Sequence, residues 1–290
     1  MDLIIYHNAC PDGWCAAFVA SKKYPKATLM PLDHGLEPPY EAVEGKDVLV
    51  VDFSWRTREQ NDKMYALAKS FRILDHHKTA QAVLEGAPYA VFDMKRSGAG
   101  LAWDYLFGAS ADVKDVPLGS EQERPWYVDY VEDRDLWNWK LSHSKEINAY
   151  LMTLPHTQAA WSTLDQPSFD EARAMQLGVG CLAHVEHYVN EAIKHAQAGS
   201  LKGHKTAVLN VPYLNCSEVG NELAKTHDVS LTWFERGDGI TQFSLRGDGR
   251  VDVSEIAKSF NGGGHHNAAG FQLPLLEGRK IVDEILGRIS

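Results

Sequence analysis

The chain has 290 residues, 44% hydrophobic and 23% charged, enough to bury one large core or two ordinary ones, and two domains are expected. Its formal net charge of −10 disfavours a basic track for long duplexes, so any nucleic-acid substrate is expected to be short. There is no apolar run of membrane-spanning length, no signal-peptide pattern and no paired Cys-x-x-Cys among Cys10, Cys15, Cys181 and Cys216, so a membrane span, a disulfide framework and an all-thiolate zinc site are excluded and a cytoplasmic protein is expected.

Residues 3–6 read as a strand, followed by a helix over about 13–23 and strands at 27–30 and 47–51. Strands at 71–74 and 90–92 continue the series, with helices over 98–107 and 125–132. Such alternation predicts an α/β fold with a parallel sheet flanked by helices. Ligands of such sheets bind outside the carboxyl ends of the strands. The polar residues found there are His7, Asp52 and the triplet Asp75-His76-His77.

From about 169 to 197, apolar residues recur at three- and four-residue steps, which predicts one long connector helix. Its His184, His187 and His195 lack a metal-binding spacing and read as surface residues. Beyond it, strands at 206–211, 229–234 and 241–246, a turn at Gly237-Asp238-Gly239 and a helix over 254–260 form a smaller α+β domain. The expected boundaries are 1–165, 166–200 for the connector, and 201–290.

The segment from His7 to Gly13 is a strand end, a tight loop and a helix start, where Asp12 could act as a cap or as a ligand. Asp52 and Asp75 end two buried strands at one sheet edge, and unpaired charge buried there is costly unless cations neutralise it. A further cluster holds Glu132, Asp133, Arg134 and Asp135, which taken alone reads as a surface ion-pair patch. Together these groups offer imidazole and carboxylate ligands, the set for manganese or a related divalent ion. In the second part, Gly262-Gly263-Gly264-His265 suggests a ligand-facing loop whose amides approach an anion, and Arg246 ends a strand with a fork suited to phosphate.

Asp75-His76-His77 and Gly262-Gly263-Gly264-His265, in order with His7 to Gly13, Asp52 and Asp133, resemble the signatures of the DHH phosphoesterase superfamily with its DHH-associated substrate-binding domain. The resemblance covers nearly the whole chain. It implies two divalent metal ions, manganese first with magnesium or cobalt as alternatives, held by His7, Asp12, Asp52, His76 and Asp133, with Asp52 bridging. It also implies that His77 faces the substrate phosphate, that Asp75 orients a neighbouring imidazole, and that Arg246, the glycines Gly262, Gly263 and Gly264, and His265 grip the substrate. Cys10 departs from the pattern, standing where many relatives have an acid, so the ligand count at one metal stays open; so does the choice between Asp133 and Asp135.

The expected activity is hydrolysis of short single-stranded oligonucleotides to mononucleotides, as a nano-RNase or RecJ-like exonuclease does. Cyclic dinucleotides, phosphoadenosine phosphate and polyphosphate are the alternative substrates, and a homodimer is one open arrangement. A non-catalytic nucleotide-binding regulator is the reading from another class; Asp12, Asp52, His76 and Asp133 argue against it.

Overall fold

The structure, a computed structural model, describes residues 1–8, 10–108 and 124–289. It divides into two compact units, Met1–Leu182 and Ala183–Ser290.

The first unit runs β1 (Leu3–His7), α1 (Pro11–Lys23), β2 (Thr28–Leu32), α2 (Tyr40–Val43), β3 (Asp47–Val51), α3 (Arg58–Leu67), β4 (Ser70–Asp75), α4 (Lys78–Val83) and β5 (Ala90–Phe92). Then follow α5 (Gly98–Phe107), α6 (Trp126–Asp135), α7 (Ser144–Leu151), α8 (Gln158–Trp161) and α9 (Glu171–Ala192). The unit boundary falls inside α9. All five strands pair in parallel in the order β2-β1-β3-β4-β5.

Side chains alternate across the pleat, and both faces are covered. Ile4, Tyr6, Leu49, Val51 and Leu74 join a core with α1, α5, α6 and α7, while Leu3, Ile5, Val48, Val50 and Ile73 join another with Met64 of α3. Each such fully buried aliphatic side chain contributes about 1.5–3 kcal/mol of transfer free energy. The sequence pattern does not report α3, because only Asn61 and Met64 of its ten residues are buried and no apolar stripe forms.

Register sets the edge that matters. Tyr6 pairs with Val51 and Val51 with Leu74, so the residues that follow, His7, Asp52 and Asp75, stand side by side at the carboxyl end. The chain moves outward to β2 on one side of β1 and to β3, β4 and β5 on the other, which puts the topological switch between β1 and β3.

The second unit contains the end of α9, then β6 (Gln197–Leu201), β7 (His204–Asn210), α10 (Cys216–Ala224), β8 (Val229–Glu235), β9 (Ile240–Arg246), α11 (Val253–Lys258), β10 (Gly263–Gly264), β11 (Ala268–Pro274) and α12 (Leu275–Ile285). Its sheet has the order β10-β11-β9-β8-β7-β6, antiparallel except for β7 with β8. The long helix ends at Ala192 rather than near 197, because a 3-10 turn over Ile193–His195 leads into β6. That strand has only Leu201 fully buried, so it shows no alternation in the sequence. Among the described residues no helix is long and apolar enough to cross a membrane.

Candidate metal centre

The sheet edge gathers His7, Asp52, Asp75, His76 and His77, and α1 brings Asp12 to them. His76 is the hub: its Nε2 lies 3.2 Å from Asp52 Oδ1, 3.6 Å from Asp12 Oδ2 and 3.6 Å from Asp135 Oδ2. On the other side of Asp52, Oδ2 is 3.7 Å from His7 Nδ1. Asp12, Asp52, Asp75 and His76 are all buried. Asp52 reaches its place by a bend just past β3: its N–H donates to Leu74 O at 2.9 Å, and its φ of +52° lies in the left-handed region, which an aspartate tolerates better than most residues.

Each ligand candidate is aimed by backbone. Asp12 accepts from the amides of Gly98 at 2.6 Å and Ala99 at 2.9 Å, the N-terminal turn of α5. Asp75 Oδ1 accepts from the amides of His76 at 2.7 Å and His77 at 3.2 Å and meets His77 Nδ1 at 2.7 Å, while Ser54 Oγ donates to Oδ2 at 3.0 Å. His77 is thereby fixed with its other ring nitrogen turned from Asp75.

The three acids near the end of α6 part company. Glu132 accepts from Ser97 N–H at 3.0 Å and Arg124 at 2.9 Å. Asp133, preferred from the sequence pattern, has both oxygens taken by its own loop, from Lys140 N–H at 2.9 Å and Leu141 N–H at 3.2 Å. Asp135 is the one whose carboxylate reaches His76. A cavity lined by Cys10, Asp12, Arg134 and Asp135 opens beside it.

These groups fit a cation. Asp52 Oδ1 and Asp135 Oδ2 are buried atoms outside the hydrogen-bond network, with His76 Nε2 3.2 Å from the former. Burial, then the charges of Asp135 and Asp52, pushes the Asp12 carboxyl well above the usual range. Burial also raises Asp135, with His76 pulling the other way. For His76, burial opposes the charge but Asp135, Asp52 and Asp12 outweigh it and hold the imidazole well above 6.5. His76 is thus shared among three acids, two of them buried, with His7 and His77 beside Asp52 alone, which concentrates negative charge around one imidazole. Donor atoms of Asp12, Asp52 and His76 lie within 4.8 Å of one another, as do those of His7, Cys10 and Asp52.

Sequence reasoning passed over two contributors. His34, in the loop after β2, stacks on Phe53 with ring centroids 4.9 Å apart and stands 4.6 Å from His7; burial, then His7 and His77, pushes it down to about 3. It follows an apolar run, as His7 does, and that was its signal. Gly98 is the other: a Cβ there would stand 2.5 Å from Asp52 Cβ and 2.8 Å from Asp12 Oδ2.

In the second unit, the guanidinium of Arg246 donates to Ser244 Oγ at 2.8 Å, Leu245 O at 2.8 Å and Ser217 Oγ at 2.7 Å. Arg246 pairs with Ala268, whose O accepts from His265 N–H at 2.8 Å, so Arg246 and the glycine segment share one end of the sheet. Gly262 and Gly264 are held where close packing or backbone conformation requires glycine. Gly262 N–H donates to Ala257 O at 2.8 Å, a Cβ at Gly262 would stand 2.1 Å from Gly270 O, and Gly264 has φ +140°.

A DHHA1 domain matches residues 206–290. An uncharacterized protein of Acanthamoeba polyphaga mimivirus is 27% identical over 96% of this chain and 69% of its own length. Oligoribonuclease NrnB of Bacillus subtilis is 24% identical over 72% of this chain, which spans only 54% of that protein. The fold is similar to RecJ of Thermus thermophilus in complex with Mn2+ (TM-score 0.55, 15% identity, 99% of this chain, 52% of that one). It is also similar to the pGpG-specific phosphodiesterase PggH of Vibrio cholerae (TM-score 0.51, 12% identity, 99% of this chain, 98% of that one). The DHHA1 match in the last part of the chain, following Asp75-His76-His77 in sequence, supports the DHH phosphoesterase superfamily, whose listed relatives include an oligoribonuclease.

Proposed function

We propose that the chain hydrolyses phosphodiester bonds of short single-stranded oligonucleotides, releasing mononucleotides, with two divalent ions, manganese first and magnesium or cobalt as alternatives. The observation that carries this reading is the pair of buried, unbonded oxygens, Asp52 Oδ1 and Asp135 Oδ2, set around His76. His7, Asp12, Asp52 and His76 would hold the ions, and Asp135 takes the place of Asp133, whose oxygens are occupied by backbone. When bound, the ions supply a water nucleophile at neutral pH and offset charge on the departing oxygen.

The remaining steps belong to side chains. Asp75 fixes the His77 ring, whose other nitrogen would then meet a non-bridging phosphate oxygen. His34 stays neutral and adds an aromatic wall beside His7. In this reading residues 1–165 form the catalytic part, 166–200 the connector and 201–290 the substrate grip. There the Arg246 fork and His265 hold a second phosphate or terminal nucleotide. The net charge of −10 disfavours long polyanions, and the likeness to an oligoribonuclease supports the short substrate.

Product analysis tests it. With manganese, a labelled RNA of two to seven nucleotides is expected to give mononucleotides, in a panel with a cyclic dinucleotide, phosphoadenosine phosphate and polyphosphate. Turnover of another panel member alone would replace the substrate, and no turnover of any would overturn the reading.

A further inference from the structure

At Cys10 the first motif carries a sulfur where many relatives have an acid, and the structure directs that sulfur into the centre. Cys10 caps α1, its Sγ accepting from Gly13 N–H at 3.2 Å. The same atom stands 3.4 Å from His7 Nδ1 and 3.2 Å from Asp52 Oδ2, and those two are 3.7 Å apart. Donors bound at about 2.0–2.3 Å around a tetrahedral ion stand about 3.3–3.8 Å from one another. The triangle therefore has the dimensions of three ligands on one ion. Asp52 belongs to both groups: its Oδ2 faces this trio, while its Oδ1, buried and unbonded in a residue only 1% exposed, faces His76.

We propose that Cys10 is a thiolate metal ligand, so that His7, Cys10 and Asp52 make one position of mixed nitrogen, sulfur and oxygen donors. The inference rests on the reading that the cluster holds divalent ions. Binding breaks the S–H bond, releases its proton to solvent and gives the sulfur pair to the cation; no electron changes hands. Burial, then the Asp52 and Asp12 carboxylates, push the Cys10 thiol well up with only the Gly13 amide opposing, so it is the arriving cation that displaces the proton. A thiolate shifts preference toward zinc, cobalt and cadmium and away from magnesium.

The test is a cobalt(II) titration of the metal-free full chain and of Cys10→Ser and Cys10→Asp, followed by sulfur-to-cobalt charge-transfer absorbance in the near ultraviolet and by bound metal content. The wild type is expected to develop the band in step with uptake. Cys10→Asp is expected to bind cobalt without the band, and its ratio of cadmium to magnesium affinity to fall on the order of 10–100-fold, the scale seen when even an outer partner of a ligand is removed. Should Cys10→Asp fold poorly, the wild-type spectrum and Cys10→Ser decide alone. Cobalt uptake by the wild type without a band, or a band that survives Cys10→Ser, would overturn the role of Cys10 while leaving the metal reading intact. No uptake by any of the three would overturn both.

Discussion

The Cα of Gly98 is held so close to Asp52 that a Cβ added to it would stand 2.5 Å from Asp52 Cβ. The same methyl would meet Asp12 Oδ2 at 2.8 Å, so two ligand candidates would be displaced together. Misplacing reacting groups by about 1 Å can cost about 100-fold in rate. Gly98→Ala is therefore expected to lose kcat by that order while circular dichroism still reports a folded chain. Wild-type kcat in this variant would mean that the two carboxylates do not carry the reaction.

Asp133 and Asp135 are expected to fail in opposite ways. Asp133→Ala leaves two loop amides without their acceptor, which costs about 1–3 kcal/mol of stability, with metal affinity less affected. Asp135→Asn neutralises a carboxylate whose Oδ2 is buried and unbonded, and is expected to weaken metal binding without loss of metal-free stability. Calorimetric titration and chemical denaturation of both variants measure this, and equal metal affinities would refute the assignment.

Metal should also stabilise. A ligand of the folded state at a hundred times its Kd adds about 2.7 kcal/mol, so manganese is expected to raise Tm and chelation to reverse the rise. Asp52→Ala, which removes the shared carboxylate, is expected to abolish both the Tm response and turnover.

Arg246 is expected to act on binding. Arg246→Ala should raise KM with kcat nearly unchanged, measured on a trinucleotide. Gly220→Ala, whose added Cβ would lie 2.9 Å from Arg246 Cγ, should do the same more weakly.

His156 stacks on Trp14 with centroids 5.8 Å apart and planes within 3°. Burial holds its pKa below 6.5, with the Asn8 backbone opposing. Between that lowered value and 6.5 the unfolded chain binds a proton that the folded one does not, so this contribution to stability is full above 6.5 and falls as the pH drops. Urea unfolding across that window should show a shallower pH slope in His156→Phe than in wild type; equal slopes would count against it.

How much of this was legible depends on what each residue needs. Asp52 and Asp75 were readable because an apolar run that ends in carboxylate is local information. The choice between Asp133 and Asp135 was not, because two residues are about 200° apart around a helix and the sequence does not say which face meets the sheet. Gly98 resisted for a related reason: its role is set by Asp52, 46 positions earlier, brought near only when α5 packs against the edge. The glycine run was readable as tight backbone, but the neighbour that requires it, Gly270 with Phe271, is a strand the alternation did not reveal.

The bend at Asp52 sets durability against competence. Its left-handed φ of +52° suits glycine better than any side chain, and such strain costs on the order of 1–3 kcal/mol. Asp52→Gly would relieve it and remove a buried, unbonded oxygen in one stroke. Selection for toughness alone, with no demand for turnover, would thus drift toward an inert but hardier protein, so stability and the proposed chemistry pull this corner in opposite directions.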